Sequence, residues 1–240
     1  AWVMAGDCAA GAQAAGALRA IRLRDRARKS EPRAPLSALA LGALALEAGL
    51  PAGVFNIVTS QNAAEVGKTL TSDARVRKIS FTGSTAVGRK LMAQASEHIQ
   101  KISLELGGNA PFIVCESADL DKAADGAIAS KFRNAGQTCI CANRIFVHKN
   151  IFDAFMEVFR RKLEALRVGP GWQEGVTIGP LINQKAIEKI EKMLSQAQAD
   201  GAQVLTGGNR HALGGTFFEP TLVLGASDGS PIAREEIFGP

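Results

Sequence analysis

The chain has 240 residues, 46% of them hydrophobic and 21% charged, which is ordinary globular usage. A chain of this length makes one large domain or two small ones and buries roughly 70% of the surface it exposes when unfolded. Disordered, collagen-like and disulfide-scaffold readings are thereby excluded. No run of about 18 uninterrupted apolar residues occurs, so no membrane-spanning helix is expected. The richest stretch, from Leu36 to Leu50, is broken by Gly42, Glu47 and Gly49.

The formal charge of +5 is local. Residues 1–33 hold seven basic side chains (Arg19, Arg22, Arg24, Arg26, Arg28, Lys29, Arg33) against three acidic ones (Asp7, Asp25, Glu31), a balance of +4. The other 207 residues sum to +1. Tyrosine is absent and aromatic residues are 5%, so no basic, aromatic-interleaved platform for nucleic acid is expected. The Ala-, Gly- and Arg-rich composition of residues 1–33 resembles a mitochondrial transit peptide. The plainer readings, a solvated basic helix or sequence foreign to the fold, are preferred. The first residue is Ala, not Met, and a cut N-terminus is one reading. Four cysteines (Cys8, Cys115, Cys139, Cys141) are too few for a stapled secreted fold. The C-x-C spacing lacks the usual metal pattern and has no histidine beside it. No metal is expected, and a reducing, cytoplasmic compartment is the default, with the mitochondrial matrix as the alternative.

Taken in chain order, a helix is predicted from Leu36 to Ala48, starting after Pro35 and stopping at Gly49 and Pro51. A strand follows at Gly53–Val58 and a short helix at Ala63–Leu70. Arg77–Phe81 reads as a strand running straight into Thr82-Gly-Ser-Thr85 and a helix from Ala86 to about Ile99. Lys101–Leu106 is a strand, Phe112–Val114 a short apolar one, and Leu120–Phe132 a helix. Asn143–His148 is a strand, Ile151–Leu166 and Gln184–Ala199 are helices, and Glu219–Leu224 is a strand. Alternating β and α elements predict an α/β fold with a mostly parallel sheet covered by helices.

Three segments have the composition of functional sites. In Phe81-Thr-Gly-Ser-Thr-Ala-Val-Gly88 a strand turns into a helix N-terminus, whose free N–H groups and macrodipole favour an anion. Its spacing is not G-x-G-x-x-G, and a capped strand–helix turn occurs in any α/β protein. In Leu104-Glu-Leu-Gly-Gly-Asn-Ala110, Glu105 lies between leucines. An apolar setting would raise its pKa and suit a general base, whereas a solvated strand-face carboxylate is the plainer reading. In Phe132-Arg-Asn-Ala-Gly-Gln-Thr-Cys-Ile-Cys-Ala-Asn-Arg144, a cysteine sits in a loop between helix and strand, where backbone N–H groups stabilise a thiolate. A buried, inert cysteine is the commoner case.

In combination these segments resemble the aldehyde dehydrogenase superfamily. The matching positions are Phe81–Gly88, Leu104–Asn109, Gly136–Cys139 and Glu235-Glu-Ile-Phe-Gly-Pro240, within a resemblance running from about Pro35 to Pro240. The run Arg133–Arg144, Leu36-Ser-Ala-Leu-Ala-Leu and Gly175-Val-Thr-Ile-Gly-Pro-Leu look most like the succinate-semialdehyde dehydrogenase branch. The resemblance implies the later half of a Rossmann-like NAD(P)-binding domain over 34–104 and the first part of an α/β catalytic domain over 105–240, with 1–33 unmatched.

For activity, the resemblance implies oxidation of an aldehyde to a carboxylic acid through a cysteine thioester. Cys139 would be the nucleophile, with its own N–H as half of an oxyanion hole, and Glu105 the base that activates water. Gly83 and Ser84 would meet the NAD or NADP pyrophosphate, and Gly88 would allow close helix packing. Leu106 would approach the nicotinamide, Glu236 would bond its ribose, and Phe238 would pack beside the ring. Lys29 would meet the adenosine ribose, although Ser30 replaces the proline of the family's stretch. Arg133, six residues before the nucleophile, would pair with the distal carboxylate of a semialdehyde; a helix C-terminal arginine facing the dipole is the plainer reading. Cys141 would be a redox partner of Cys139 or merely structural. Full-length relatives would be homo-oligomers.

Three departures set further expectations. Arg24-Asp-Arg-Ala-Arg28 occupies the place of an apolar strand, and a charged run is not expected in a central strand buried on both faces. The chain ends inside a family motif, so a fragment with little activity of its own and exposed sheet edges is expected. Ser60 stands where relatives often carry Gly, leaving NAD against NADP open. The competing readings are a different aldehyde, glutarate semialdehyde or an uncharged one, and a non-catalytic protein that keeps the fold.

Overall fold

The computed structural model describes residues 2–5, 26–30 and 36–240, the first two segments as backbone alone. The chain divides into two units, Ala1–Gly107 and Gly108–Pro240.

The first unit is a five-stranded sheet with helices. In chain order it holds β1 (Trp2–Ala5), β2 (Arg26–Ser30), α1 (Leu36–Glu47), β3 (Phe55–Thr59), α2 (Ala63–Ser72), β4 (Lys78–Gly83), α3 (Thr85–Ala95), and β5 (Lys101–Leu106). The strand order is β3-β2-β1-β4-β5. Strands β2 and β3 run parallel, as do β4 and β5, while β1 is antiparallel to both its neighbours. The sheet is therefore mixed, not mostly parallel.

The charged run does enter a strand. Arg26–Ser30 pairs with β3 on one side and β1 on the other, against the expectation from its charge. Ladder bonds come from the main chain, which any non-proline residue supplies. The exclusion presumed helices over both faces, whereas neighbouring β3 has no buried residue. The remainder of residues 1–33, Cys8 included, lies outside the described residues.

Local chemistry explains most boundaries. Asn62 Oδ1 accepts from Glu65 N at 3.2 Å and caps α2. Ser84 Oγ accepts from Val87 N and caps α3. The helix expected to reach Ile99 ends at Ala95, passes through a 3-10 turn at Ser96–His98, and stops at Ile99, whose φ is +52°. The core of this unit is small: Ile79, Phe81 and Leu91, packed by Leu70, Val76, Ile102, Leu104 and Leu106.

The second unit holds β6 (Ala110–Val114), α4 (Leu120–Phe132), β7 (Ala142–Val147), α5 (Phe152–Glu164), α6 (Gln184–Ala199), β8 (Gln203–Thr206), β9 (Leu222–Leu224), and the short α7 (Pro231–Arg234). Strands β6 and β7 are parallel, as a crossover through α4 requires. Strands β8 and β9 are antiparallel. The sequence reading missed β8 and α7, which are only four residues each. The core is one cluster of Phe132, Phe155, Phe159, Leu163, Ile178, Ile187, Ile190, Leu194 and Phe218 with smaller side chains. Phe155 and Phe159 stack with ring centroids 5.5 Å apart. The i, i+4, i+8 spacing of Phe155, Phe159 and Leu163 is a helical stripe, and all three are buried.

Candidate functional site

The cysteine loop begins where α4 stops. Helix α4 is capped by Asp119, whose Oδ1 accepts from Lys122 N at 3.2 Å, and it buries Ala124, Ala127, Lys131 and Phe132. Beyond it, Asn134, Ala135 and Gly136 all take left-handed backbone angles, with φ of +53°, +55° and +71°. Each non-glycine residue in that region costs roughly 1–2 kcal/mol, so such a run persists only where its surroundings impose it.

Those surroundings are visible. Ala135 is buried in the main core. A Cβ on Gly136 would collide with the Gly239 carbonyl, so the Glu235–Pro240 segment passes directly against the loop. Gln137 clamps the other side: its Oε1 accepts from Ile182 N at 2.9 Å, and its Nε2 donates to Pro180 O at 3.3 Å and Asn134 O at 3.2 Å. Cys139 follows and is exposed. Cys141 is buried, its Sγ donating to Gly136 O and Lys131 O at 3.3 and 3.4 Å, and lying 2.7 Å from Thr138 Oγ1. Both thiols are free. Arg133 is exposed at the C-cap of α4.

Asn109 anchors α7, which leads into the Glu235–Pro240 segment, and Lys189 holds the segment itself. Asn109 Nδ2 donates to Ala233 O at 2.8 Å and Ile232 O at 3.4 Å, and Arg144 Nε donates to Asn109 O at 3.0 Å. Lys189 Nζ donates to the Glu236 backbone carbonyl. Burial raises the Glu236 pKa, with the Lys189 charge and the Gly108 N–H pulling the other way. Its Oε1 is buried without a hydrogen-bond partner among the described residues. Phe238 is partly exposed, with φ of +57°.

In the first unit, Gly83 ends β4, Ser84 caps α3, and the first turn of α3 carries no acidic residue. Gly88 is buried, and a Cβ there would lie 2.7 Å from Leu106 Cδ2, so a larger residue would have to push that leucine side chain aside. Glu105 is exposed while Leu104 and Leu106 on the other face are half-buried. Strand alternation thus removes the apolar setting that its leucine neighbours suggested. Lys29 lies in β2, paired with Val58, and its side chain is outside the described atoms.

The predicted residues thus fall into two groups. Gly83, Ser84, Gly88, Glu105 and Leu106 surround the ends of β4 and β5; Arg133, Cys139, Cys141, Glu236 and Phe238 belong to the loop and the segment against it. Sequence reasoning missed Gln137 as a clamp and Asn109 as an anchor, although both stand inside quoted motifs. It missed Lys131 entirely: a lysine in a helix's last turn reads as a dipole partner, and no local signal marks it as buried.

Across residues 27–240 the chain matches the model of the aldehyde dehydrogenase family. The chain belongs to the aldehyde dehydrogenase family. The match reaches upstream of Pro35, where the sequence resemblance began, and takes in all of β2 but Arg26. The succinate-semialdehyde dehydrogenase [NADP(+)] of Escherichia coli (strain K12) is 53% identical over 212 residues, covering 88% of this chain and 44% of that protein. The glutarate-semialdehyde dehydrogenase of Pseudomonas aeruginosa is 51% identical with the same coverage. The crystal structure of succinate-semialdehyde dehydrogenase from Burkholderia pseudomallei superposes with a TM-score of 0.84 at 52% identity, over 88% of this chain and 44% of that one. The α/β fold is thus part of the aldehyde dehydrogenase fold, and the chain spans about half the length of the relatives it matches. Among the described residues no helix is long and apolar enough to cross a membrane, and no cluster of metal-ligating side chains occurs.

Proposed function

We propose that this chain is the part of an NAD(P)-dependent aldehyde dehydrogenase that carries the nucleophile, and that its substrate is succinate semialdehyde, oxidised to succinate. The observation that carries the reading is Cys139: an exposed thiol on a loop held in a strained, clamped backbone. The first unit serves as the nucleotide-binding part and the second as the catalytic part, cytoplasmic or in the mitochondrial matrix, where free thiols persist. The whole enzyme acts as a homo-oligomer.

The Cys139 sulfur attacks the aldehyde carbon to form a thiohemiacetal, and the Cys139 N–H donates to the oxygen that becomes negative. Bound NAD(P) supplies the two-electron acceptor for oxidation to the thioester. Glu105 takes a proton from water, which releases the acid and restores the thiol. The residues fit the nucleotide: the α3 N-terminus, capped by Ser84 and free of acidic side chains, suits pyrophosphate, with Gly83 beside it. The unpartnered Glu236 Oε1 suits a ribose hydroxyl, with Phe238 beside the ring. Leu106 and Lys29 are assigned to the nicotinamide and the adenosine ribose on the family pattern.

Arg133 is assigned to the substrate's distal carboxylate, which a guanidinium holds through two parallel bonds. The name of the Pseudomonas aeruginosa relative makes glutarate semialdehyde the second reading. Turnover by wild type and Arg133→Ala, on carboxylated and uncharged aldehydes, tests the assignment. A loss of roughly tenfold or more confined to the carboxylated substrates is expected; equal losses on both refute it. Iodoacetamide labelling tests the nucleophile: Cys139 reacting no faster than free cysteine at neutral pH removes its activated character.

A further inference from the structure

Among the described residues, Lys131 is the only charged side chain that is buried, at 7% exposure. It stands in the last turn of α4 and lines a cavity of about 280 Å³ together with Asn143, Arg144, Phe146, Ile190 and Asp228. Its Nζ donates to Asn143 Oδ1 at 2.6 Å. A buried ammonium with a neutral acceptor is costly, and an apolar residue of the same volume is often at least as stable. Stability therefore does not explain the lysine; its connections do.

The Lys131 backbone carbonyl accepts from Cys141 Sγ, while its amine holds Asn143, so one residue grips the chain at two points beyond Cys139. On the near side, Thr138 Oγ1 lies 2.7 Å from Cys141 Sγ, and Cys141 N donates to Thr138 O at 3.3 Å. Cys139 is exposed within this tied stretch, and Cys141, two residues on, is buried. Backbone alone does not enforce that difference, because residues 137–141 form no strand or helix.

We propose that Lys131, acting through Asn143, is a latch that keeps Cys141 turned into the core and thereby leaves Cys139 as the one thiol the loop presents. Lys131 is a positioning residue. It deepens the reading of Cys139 as the nucleophile and rests on it. Burial also lowers the Lys131 amine to about 8, with the neighbouring Cys141 acting in the opposite sense, which agrees with a group kept in place against its own solvation.

The test is alkylation of the native protein by iodoacetamide, followed cysteine by cysteine by peptide mass spectrometry. Exposed Cys115 serves as the internal standard. In the wild type, Cys139 is labelled roughly a hundredfold faster than Cys141, whose thiol reacts only when the loop opens. Lys131→Met lowers that ratio roughly tenfold or more by exposing Cys141. Cys115 labelling stays unchanged, and the melting temperature is unchanged or raised. Lys131→Arg restores part of the ratio, and Asn143→Ala reproduces the loss without adding to it in the double variant. A Lys131→Met ratio within roughly twofold of wild type overturns the latch, as does a loss accompanied by a lowered melting temperature and faster labelling of all three cysteines. If Lys131→Met does not fold, unchanged ratios in Lys131→Arg and Asn143→Ala together overturn it. Wild-type labelling of Cys139 no faster than Cys115 refutes the nucleophile reading instead, and leaves the Cys139-to-Cys141 ratio to decide the latch.

Discussion

Helices α1 and α5 are both rich in large apolar residues, yet they end in opposite states. In α1, Leu36, Leu39, Leu41, Leu44 and Leu46 are 44–78% exposed, and only Ala38 is buried. In α5, Phe155, Phe159 and Leu163 are all within 2% of complete burial. The leucines of α1 are spread around the helix, so no single face gathers them. The buried Phe155, Phe159 and Leu163 of α5 form one stripe, with Arg160, Arg161 and Lys162 on the faces between. Burial follows arrangement, not amount, and the same contrast separates the two units: one packs three buried residues around β4, the other joins helices, strands and loops in a single cluster.

The sharpest way to break this contrast is to truncate one side chain in each helix. Phe159→Ala in the second unit is expected to cost about 3–5 kcal/mol, and Leu44→Ala in α1 less than about 0.5 kcal/mol. Hydrogen exchange resolved by segment reads each unit without presuming a single unfolding step. Comparable losses would mean that α1 is packed far more tightly than its exposure shows.

The next effect comes from two of the close-approach glycines, one in each unit. Gly136→Ala joins a left-handed backbone to a collision with the Gly239 carbonyl, which cannot move without the segment that carries it. A cost of about 2–4 kcal/mol and faster labelling of Cys141 are expected. In the first unit, Gly88→Ala meets only a leucine methyl, and its helix propensity offsets part of the strain, so about 1 kcal/mol or less is expected. An equal cost at both sites in urea unfolding would remove the claim that Gly239 braces the cysteine loop.

Lys131→Met sharpens the comparison through pH. The folded-state pKa of Lys131 lies near 8, below the ordinary 10.5, so the unfolded chain binds more protons between these values. The destabilisation due to burying the charge is therefore full below about pH 8 and is relieved as pH rises toward 10.5. Any gain in melting temperature from Lys131→Met should be largest at pH 7 and shrink above pH 8. A gain that does not vary with pH would mean that the amine keeps its ordinary pKa in the fold, and that burial does not shift it.

The smallest effect belongs to the surface. Arg210 donates to both Glu191 carboxylate oxygens, at 2.6 and 2.8 Å, and holds that carboxyl below its usual pKa. The contribution is present above the unfolded carboxylate pKa and lost as pH falls through the lower folded value. Arg210→Ala should lower the neutral-pH melting temperature slightly, and the difference should vanish in acid and weaken in high salt.

Much of the local structure around the candidate site was legible residue by residue. The capped turn at Ser84, the strand ending in Glu105-Leu106 and the loop carrying Cys139 are local motifs, and local motifs are set by propensity, capping and period. The charged strand at Arg26–Ser30 and the antiparallel β1 were not legible, because pairing partners are chosen by long-range geometry. The short β8 and α7 were too brief for any periodicity to show.

The longer helices and strands from Leu36 on, the position of each motif and the family itself follow from the chain's letters, because spacing and turn chemistry act between near neighbours. What only packing in three dimensions decided is which of two cysteines faces water, which lysine is buried, and which glycine the Gly239 carbonyl presses against. Those outcomes depend on groups as far apart in the chain as Gly136 and Gly239, or Gln137 and Ile182, and no local pattern encodes contacts across such separations.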